Sequence, residues 1–297
     1  MKTQNIILIL FVLLVFTSCT QKPNADPEYI KEIEEWDQKR VERLREENGW
    51  LNLAGLFWLK EGENKIGSSK ENDIIFPAGP EFIGTMFLKD SIVTIRINPD
   101  VNVTNNRTAV TELTLEHDLT GNPTLLQTGS LRWNIIKRKK GFGIRLRDLN
   151  ADLVKDFMRI ERFPVNEDWK IEATFDPYNP PKKIFIPNIV GTVEEEDCPG
   201  AVVFNKDGKE YRINAIDSGK RLFLIFADET SGEETYGAGR FMYVDKSYST
   251  EKIILDFNKA YNPPCVFTRF ATCPLPPKDN YLKLRIEVGE KMWGEKH

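Results

Sequence analysis

The chain has 297 residues, 40% hydrophobic and 29% charged, and its 45 acidic against 41 basic residues give a formal charge of −4. This is the composition of a globular body with one large or two modest cores, and it excludes a disordered chain. It also leaves no broad basic footprint for nucleic acid.

The chain opens with Lys2, an apolar run from Ile6 to Phe16, and the tetrad Phe16-Thr-Ser-Cys19. The run is about half of the ~20 residues that a membrane-spanning helix needs, so residues 1–18 are expected to be a processed export signal. The tetrad resembles the lipobox of bacterial lipoproteins, with Phe at the position usually held by Leu. The resemblance implies cleavage before Cys19, lipidation of its thiol and tethering to the membrane of the cell envelope. Thr20 then favours the outer membrane, and ordinary cleavage near Ser18 is the alternative. Removal of residues 1–18 takes away Lys2 and no acid, so the formal charge moves from −4 by one unit to −5.

Residues 19–27 form a polar tether, and residues 28–48 carry almost only helix formers behind Asp26 as cap and Pro27 in the first turn. Ile30, Ile33, Trp36 and Leu44 recur at helical spacing and predict one face docked on the body. From Gly49 the pattern changes to short alternating runs between Gly, Asn, Asp and Pro, such as residues 90–97, 111–115, 131–136 and 142–147. Lys137-Arg138-Lys139-Lys140, beside Gly141, reads as a solvated hairpin tip. A second β-rich section, residues 161–297, follows the first at 49–160. Its predicted strands are 169–175, 183–186, 189–194, 200–205, 210–215, 221–226, 241–244, 253–257 and 281–288. The fold class is therefore mainly β: a sandwich-like or barrel-like body of two associated sections with an N-terminal helix. Residues 62–77, GENKIGSSKENDIIFP, resemble the opening of a forkhead-associated sandwich. Ser68 stands where such domains place Arg, and residues 81–87 lack their Ser and His, so phosphopeptide recognition is not implied.

The densest use of Gly, Pro, Cys and aromatic residues lies at 226–291, where Tyr236-Gly-Ala-Gly-Arg240 and Asn262-Pro-Pro-Cys265 fix backbone shape at several points. Of three cysteines beyond Cys19, Cys265 and Cys273 are nearest in sequence and are the disulfide candidates, with Cys198 left over. No C-x-x-C spacing supports zinc, and no metal or other cofactor is expected. Two histidines, His117 and His297, leave one internal candidate for a nucleophile–histidine pair, and His117 sits at a predicted turn. No zincin, nucleophile-elbow, phosphate-loop or dinucleotide motif is present.

Polar candidates remain. Tyr236, Arg240, Asp256 and Asn258 are predicted to bind a small polar ligand, because Arg holds carboxylate or phosphate and Asp with Asn orients a hydroxyl. Asp256, Glu287 and Glu290 are the catalytic candidates if two carboxylates divide acid and base work. The structural alternative pairs Arg240 with Asp256 to clamp the C-terminal loop. Phe226, Tyr236, Phe241, Tyr243, Tyr261, Phe267 and Phe270 either line a flat-ligand pocket or fill the core.

Gly49-Trp-Leu-Asn-Leu-Ala-Gly-Leu-Phe-Trp-Leu59, Arg162-Phe-Pro164, Asp228-Glu-Thr-Ser-Gly232, Thr235-Tyr-Gly-Ala-Gly-Arg240, Asp256-Phe-Asn-Lys-Ala260 and Asn262-Pro-Pro-Cys265 together resemble the bacterial domain of unknown function family 1684, from about Trp36 to Lys291. The resemblance implies no activity and no cofactor. Three readings stay open: an envelope lipoprotein binding a small polar molecule or glycan, a carboxylate-dependent hydrolase, and a structural or partner-binding protein. The expected partners are the membrane, through lipidated Cys19, and a small ligand, without nucleic acid.

Overall fold

The computed structural model describes residues 24–246 and 252–294; residues 1–18, expected to be an export signal, Cys19 and His297 lie outside the described residues. The helix Pro27–Arg45 begins where the sequence places it, with Asp26 Oδ1 accepting from the Glu28 amide at 2.8 Å. Its buried face is Tyr29, Ile33, Arg40, Val41 and Leu44, so two polar side chains share the stripe that apolar periodicity predicts. The chain leaves the helix through Gly49, where a Cβ would stand 2.3 Å from the Leu44 carbonyl oxygen. No helix among the described residues is long and apolar enough to cross a membrane.

Residues 53–148 form a sandwich. One sheet orders Leu53–Trp58, Gly141–Asp148, Leu131–Arg138, Leu126–Thr128, Thr104–Asn105 and Thr108–Ala109. The other orders Ile74–Ile75, Gly62–Gly67, Gly84–Lys89, Ile92–Ile97 and Glu112–Leu115. Alternation decides the faces: Trp133, Ile135, Ile144 and Leu146 from the first sheet meet Ile66, Met86, Val93 and Ile95 from the second in one buried core. The basic tip joins Leu131–Arg138 to Gly141–Asp148, and Arg138 pairs with Asp118 at 2.8 Å.

The second section is one antiparallel sheet in the order Arg240–Asp245, Arg221–Phe226, Lys209–Ser218, Val193–Lys206, Lys170–Pro187, Lys252–Asp256. It curls until its edge strands approach each other, a nearly closed barrel filled by Phe204, Phe226, Phe257, Ile213, Leu224 and Leu255. The predicted strands 169–175 and 183–186 are one continuous strand whose pairing shifts between Pro177 and Lys182. Residues 188–192 turn back, with the Asn188 amide donating to the Thr192 carbonyl at 2.9 Å and Asn188 making only an isolated bridge to Pro274, so the next strand starts at Val193.

Residues 281–288 are not a strand. Their alternation does bury Leu282, Ile286 and Val288. The backbone, however, bonds to buried side chains: Arg240 takes the carbonyls of Ile286 and Val288, and Asp228 takes the Ile286 amide.

The two sections meet over the outer face of the first sheet. Arg145 and Arg147 alternate with the inward Ile144 and Leu146 and are therefore buried on that outer face, each without an ion-paired carboxylate among the described residues. Arg145 lies 5.4 Å from the Trp50 ring centroid, and Arg147 donates to Asn134 Oδ1 at 3.2 Å and to the Asn48 carbonyl at 3.3 Å. Burial, with neighbouring guanidinium groups, pushes both down to about 10.

Candidate functional site

Arg240 is fully buried at the start of the edge strand Arg240–Asp245. Gly239 precedes it at φ +81, and a Cβ there would lie 2.4 Å from the Phe226 carbonyl oxygen, which accounts for the glycine in Tyr236-Gly-Ala-Gly-Arg240. The Arg240 guanidinium donates to Val288 O at 2.5 Å, Ile286 O at 2.9 Å and Asp228 Oδ1 at 3.3 Å. Asp228 also accepts from Thr230 Oγ1 at 3.0 Å and from the Ile286 amide at 2.7 Å. Arg240 thus pairs with Asp228, not with Asp256 as the sequence-based structural alternative has it, and its donors tie residues 286–288 to the barrel.

Asp256 and Asn258 belong to a second cluster. Asp256 Oδ1 accepts from Tyr29 Oη at 2.7 Å, from the Asn258 amide at 3.1 Å and from Asn258 Nδ2 at 3.2 Å. Its Oδ2 stands 3.3 Å from the Lys259 ammonium, an ion pair without hydrogen-bond geometry. Asn258 holds residue 166 with both ends of its amide, each at 2.9 Å. Burial and the Asp256 carboxylate push the Tyr29 hydroxyl well above its ordinary range, so it stays a donor.

Glu290 is fully buried and completes the same seat. It accepts from Arg40 Nε at 3.2 Å and from the Asn262 amide at 2.6 Å, while Arg40 also donates to Asn262 O at 2.9 Å. Lys259 pairs with Glu32 at 2.6 Å, and Arg162 pairs with Asp37 at 3.1 Å and donates to the Asn258 carbonyl. Tyr29, Glu32, Asp37 and Arg40 all lie on the N-terminal helix, so Asp256, Asn258, Arg162 and Glu290 are the socket that receives it.

The remaining candidates are dispersed. Glu287 is at the surface, paired with Arg285 at 3.0 Å, and Arg285 also holds Glu233 and Glu234. Tyr236 is half-buried and its hydroxyl is pushed up by burial. Cys265 and Cys273 are bonded to each other, and Cys198 is buried as a free thiol. The His117 imidazole accepts from the Leu119 amide at 3.2 Å as a turn cap. Among the described residues no three His, Cys, Asp or Glu side chains are grouped to hold a metal ion. The sequence expectation of one rim gathering Arg240, Asp256 and Asn258 is not met, since Arg240 belongs to a cluster separate from the other two.

An open site does exist beside the socket. A cleft of about 540 Å³ lies between the helix and the outer face of the second sheet, lined by Trp36, Arg40 and Arg43 of the helix, Trp50, and Arg221, Phe223, Phe241, Tyr243 and Tyr261 of the body. Its rings form a continuous surface: Phe223 stacks on Tyr243 at 4.8 Å, Tyr243 lies nearly parallel to Tyr261 at 6.5 Å, and Trp36 reaches Tyr261 at 6.4 Å. Arg40 sits 4.6 Å from the Tyr261 ring centroid and Arg221 4.1 Å from that of Tyr243. Of the aromatics singled out in the sequence, Phe241, Tyr243 and Tyr261 reach this cleft, whereas Phe226 and Phe267 are core. Trp36, Arg43 and Arg221 carry no motif, Trp50 belongs to the run 49–59, and only the alternation that turns Arg221, Phe223 and Tyr243 outward hints at their shared face. A larger groove of about 810 Å³ runs over Phe185, Pro187, Val193 and Tyr281, but its Lys183 is paired with Asp197 at 2.8 Å and no aromatic stack lines it.

The socket generates a stability prediction. Arg40→Met leaves the Glu290 carboxylate buried without its cation and is expected to cost about 3–5 kcal/mol in urea unfolding. Adding Glu290→Gln to that variant recovers part of the loss, because the neutral amide still accepts from Asn262. An Arg40→Met protein as stable as wild type would show that the pair is not a structural constraint.

Residues 155–291 match the family model described as protein of unknown function (DUF1684), a shorter span than the 36–291 expected from the sequence, with 49–59 outside it. No curated protein matches the chain. An uncharacterized protein of Haloarcula marismortui with a solution NMR structure is 28% identical over 47% of this chain and 80% of that one, with a TM-score of 0.40. The matched residues include Arg162, Asp256, Asn258 and Glu290 of the socket and Arg221, Phe223, Phe241, Tyr243 and Tyr261 of the cleft, but not Trp50 or the helix.

Proposed function

We propose that this protein binds a small polar ligand, of the size of a sugar or short glycan, in the cleft between the N-terminal helix and the second sheet. The observation that carries the reading is the run of rings from Phe223 through Tyr243 and Tyr261 to Trp36, opened to solvent at Tyr243, which is 38% exposed. Stacked aromatic side chains left unburied in a cleft of this size are a surface for a flat or ring-shaped ligand. Hydrolysis has weaker support. Asp256 Oδ1 and both Glu290 oxygens are bonded in the helix socket, Asp256 Oδ2 faces the Lys259 ammonium, and Glu287 pairs with Arg285 at the surface, so these three do not face a common cleft.

Tyr243→Ala removes the centre of the ring surface without touching either polar cluster. Ligand fractions released from the envelope are expected to raise the Tm of the wild-type protein, with the shift lost in this variant and its ligand-free Tm little changed. Equal stabilisation of both proteins by those fractions would place binding elsewhere.

The same proposal makes the protein a lipoprotein of the bacterial cell envelope, held through Cys19, with the outer membrane favoured. Cys19→Ala is then expected to move the protein from the membrane pellet to the soluble fraction and to abolish incorporation of labelled palmitate. Labelling that survives the substitution contradicts the anchor.

A further inference from the structure

The cleft holds more cations than its structural bonds consume. Four line it, together with one carboxylate, Asp245. Arg40 is committed to Glu290 and Asn262, and Lys259 to Glu32 and Asp256. Arg43 and Arg221 are exposed and have no ion-pair partner among the described residues, although Asp245 faces Arg221 across the strand pair. One of these free guanidinium groups stands on the helix wall and the other on the sheet wall, with the aromatic floor between them. Arg221 keeps its fork in place by lying on the Tyr243 ring, so its N–H edges remain available.

We infer that the cleft takes an acidic sugar, a hydroxylated ring bearing a carboxylate or phosphate group. The inference rests on the proposed ligand-binding reading and adds a class of ligand to it. The anionic group lies between Arg43 and Arg221, where planar guanidinium groups meet carboxylate or phosphate oxygens in pairs. The apolar face of the ring lies on Tyr243 and Tyr261. Asp245, the carboxylate of the cleft, accepts from a ring hydroxyl, which an aromatic acid without hydroxyls would not supply. Two free cations against one carboxylate leave an excess of one positive charge, and this favours a singly or doubly charged ligand over a neutral one.

The test uses the mature lipidated protein in detergent and follows Tm and the fluorescence of Trp36 and Trp50. The probes are digalacturonate against its neutral analogue digalactose, glucose 6-phosphate against glucose, and inorganic phosphate alone. At least one acidic sugar is expected to bind roughly tenfold or more tightly than its neutral counterpart, and Arg43→Gln and Arg221→Gln each to weaken it roughly tenfold. Neither residue has an ion-pair partner among the described residues, so ligand-free Tm should stay at the wild-type value in Arg43→Gln and fall by no more than about a few degrees in Arg221→Gln, which loses its contact with the exposed Tyr243 ring. Preference for digalacturonate assigns the carboxylate, and preference for glucose 6-phosphate the phosphate. Neutral sugars binding as tightly as acidic ones, or both Arg variants keeping wild-type affinity, overturn the acidic class while leaving the cleft as the binding site. Inorganic phosphate binding as well as the sugar phosphate overturns the role of the ring. Failure of every probe also overturns the inference, and the ligand-binding reading then stands or falls separately on the Tyr243→Ala comparison with envelope fractions.

Discussion

Glu290 is a carboxylate without exposed surface, and the guanidinium that pairs with it comes from a helix 250 positions earlier in the chain. Taking a carboxylate out of water costs several kcal/mol unless its oxygens are bonded again, so the position of that helix is not a matter of apolar contact alone. Asp256 imposes a similar condition through the Tyr29 hydroxyl, and Asn258 adds the requirement that residue 166 be in place. Apolar faces slide at little cost, whereas this array of directed bonds has one register. Once the helix is seated in it, Trp36, Arg40 and Arg43 form one wall of the cleft, and the outer face of the second sheet forms the other.

The division between socket and cleft explains why one region of sequence carries two signals. The polar residues at 256–262 and 290 face inward to a partner from the same chain, while Tyr243 and Arg221, on neighbouring strands, face out. A rigid polar seat beneath an aromatic surface holds the recognition groups in fixed positions, which lowers the entropy that binding would otherwise cost. Arg240 performs a comparable task next to the socket, bonded to Val288 two residues before Glu290. It substitutes side-chain donors for the strand neighbour that residues 286–288 lack, and so closes the barrel without a further strand.

Much of the fold was legible in the chain because local rules govern it. Asp26 and Pro27 announce the helix start, and alternation in 131–136 and 142–147 assigns the faces of the sandwich sheet. Alternation in 281–288 is equally regular and yet the segment is no strand, because a period of two reports which side chains are buried and not whether the backbone has a strand beside it. The candidate site was legible only in part. Asp, Asn and Glu beside an arginine have the same residue types in a catalytic cleft as in a structural seat, and the distinction lies with Tyr29 and Arg40, 227 and 250 positions away. The cleft itself draws on five separated segments, so no single motif announces it.

Hydrogen exchange along the wild-type chain tests the central claim most directly, because a seated helix and a loosely attached one differ in local stability. If the polar socket fixes the helix, amides within Pro27–Arg45 are protected to the same extent as those of the strand Arg221–Phe226. Helix amides that exchange freely while that strand remains protected would show that the helix is not held by the socket, and the cleft would lose the wall on which its proposed function depends.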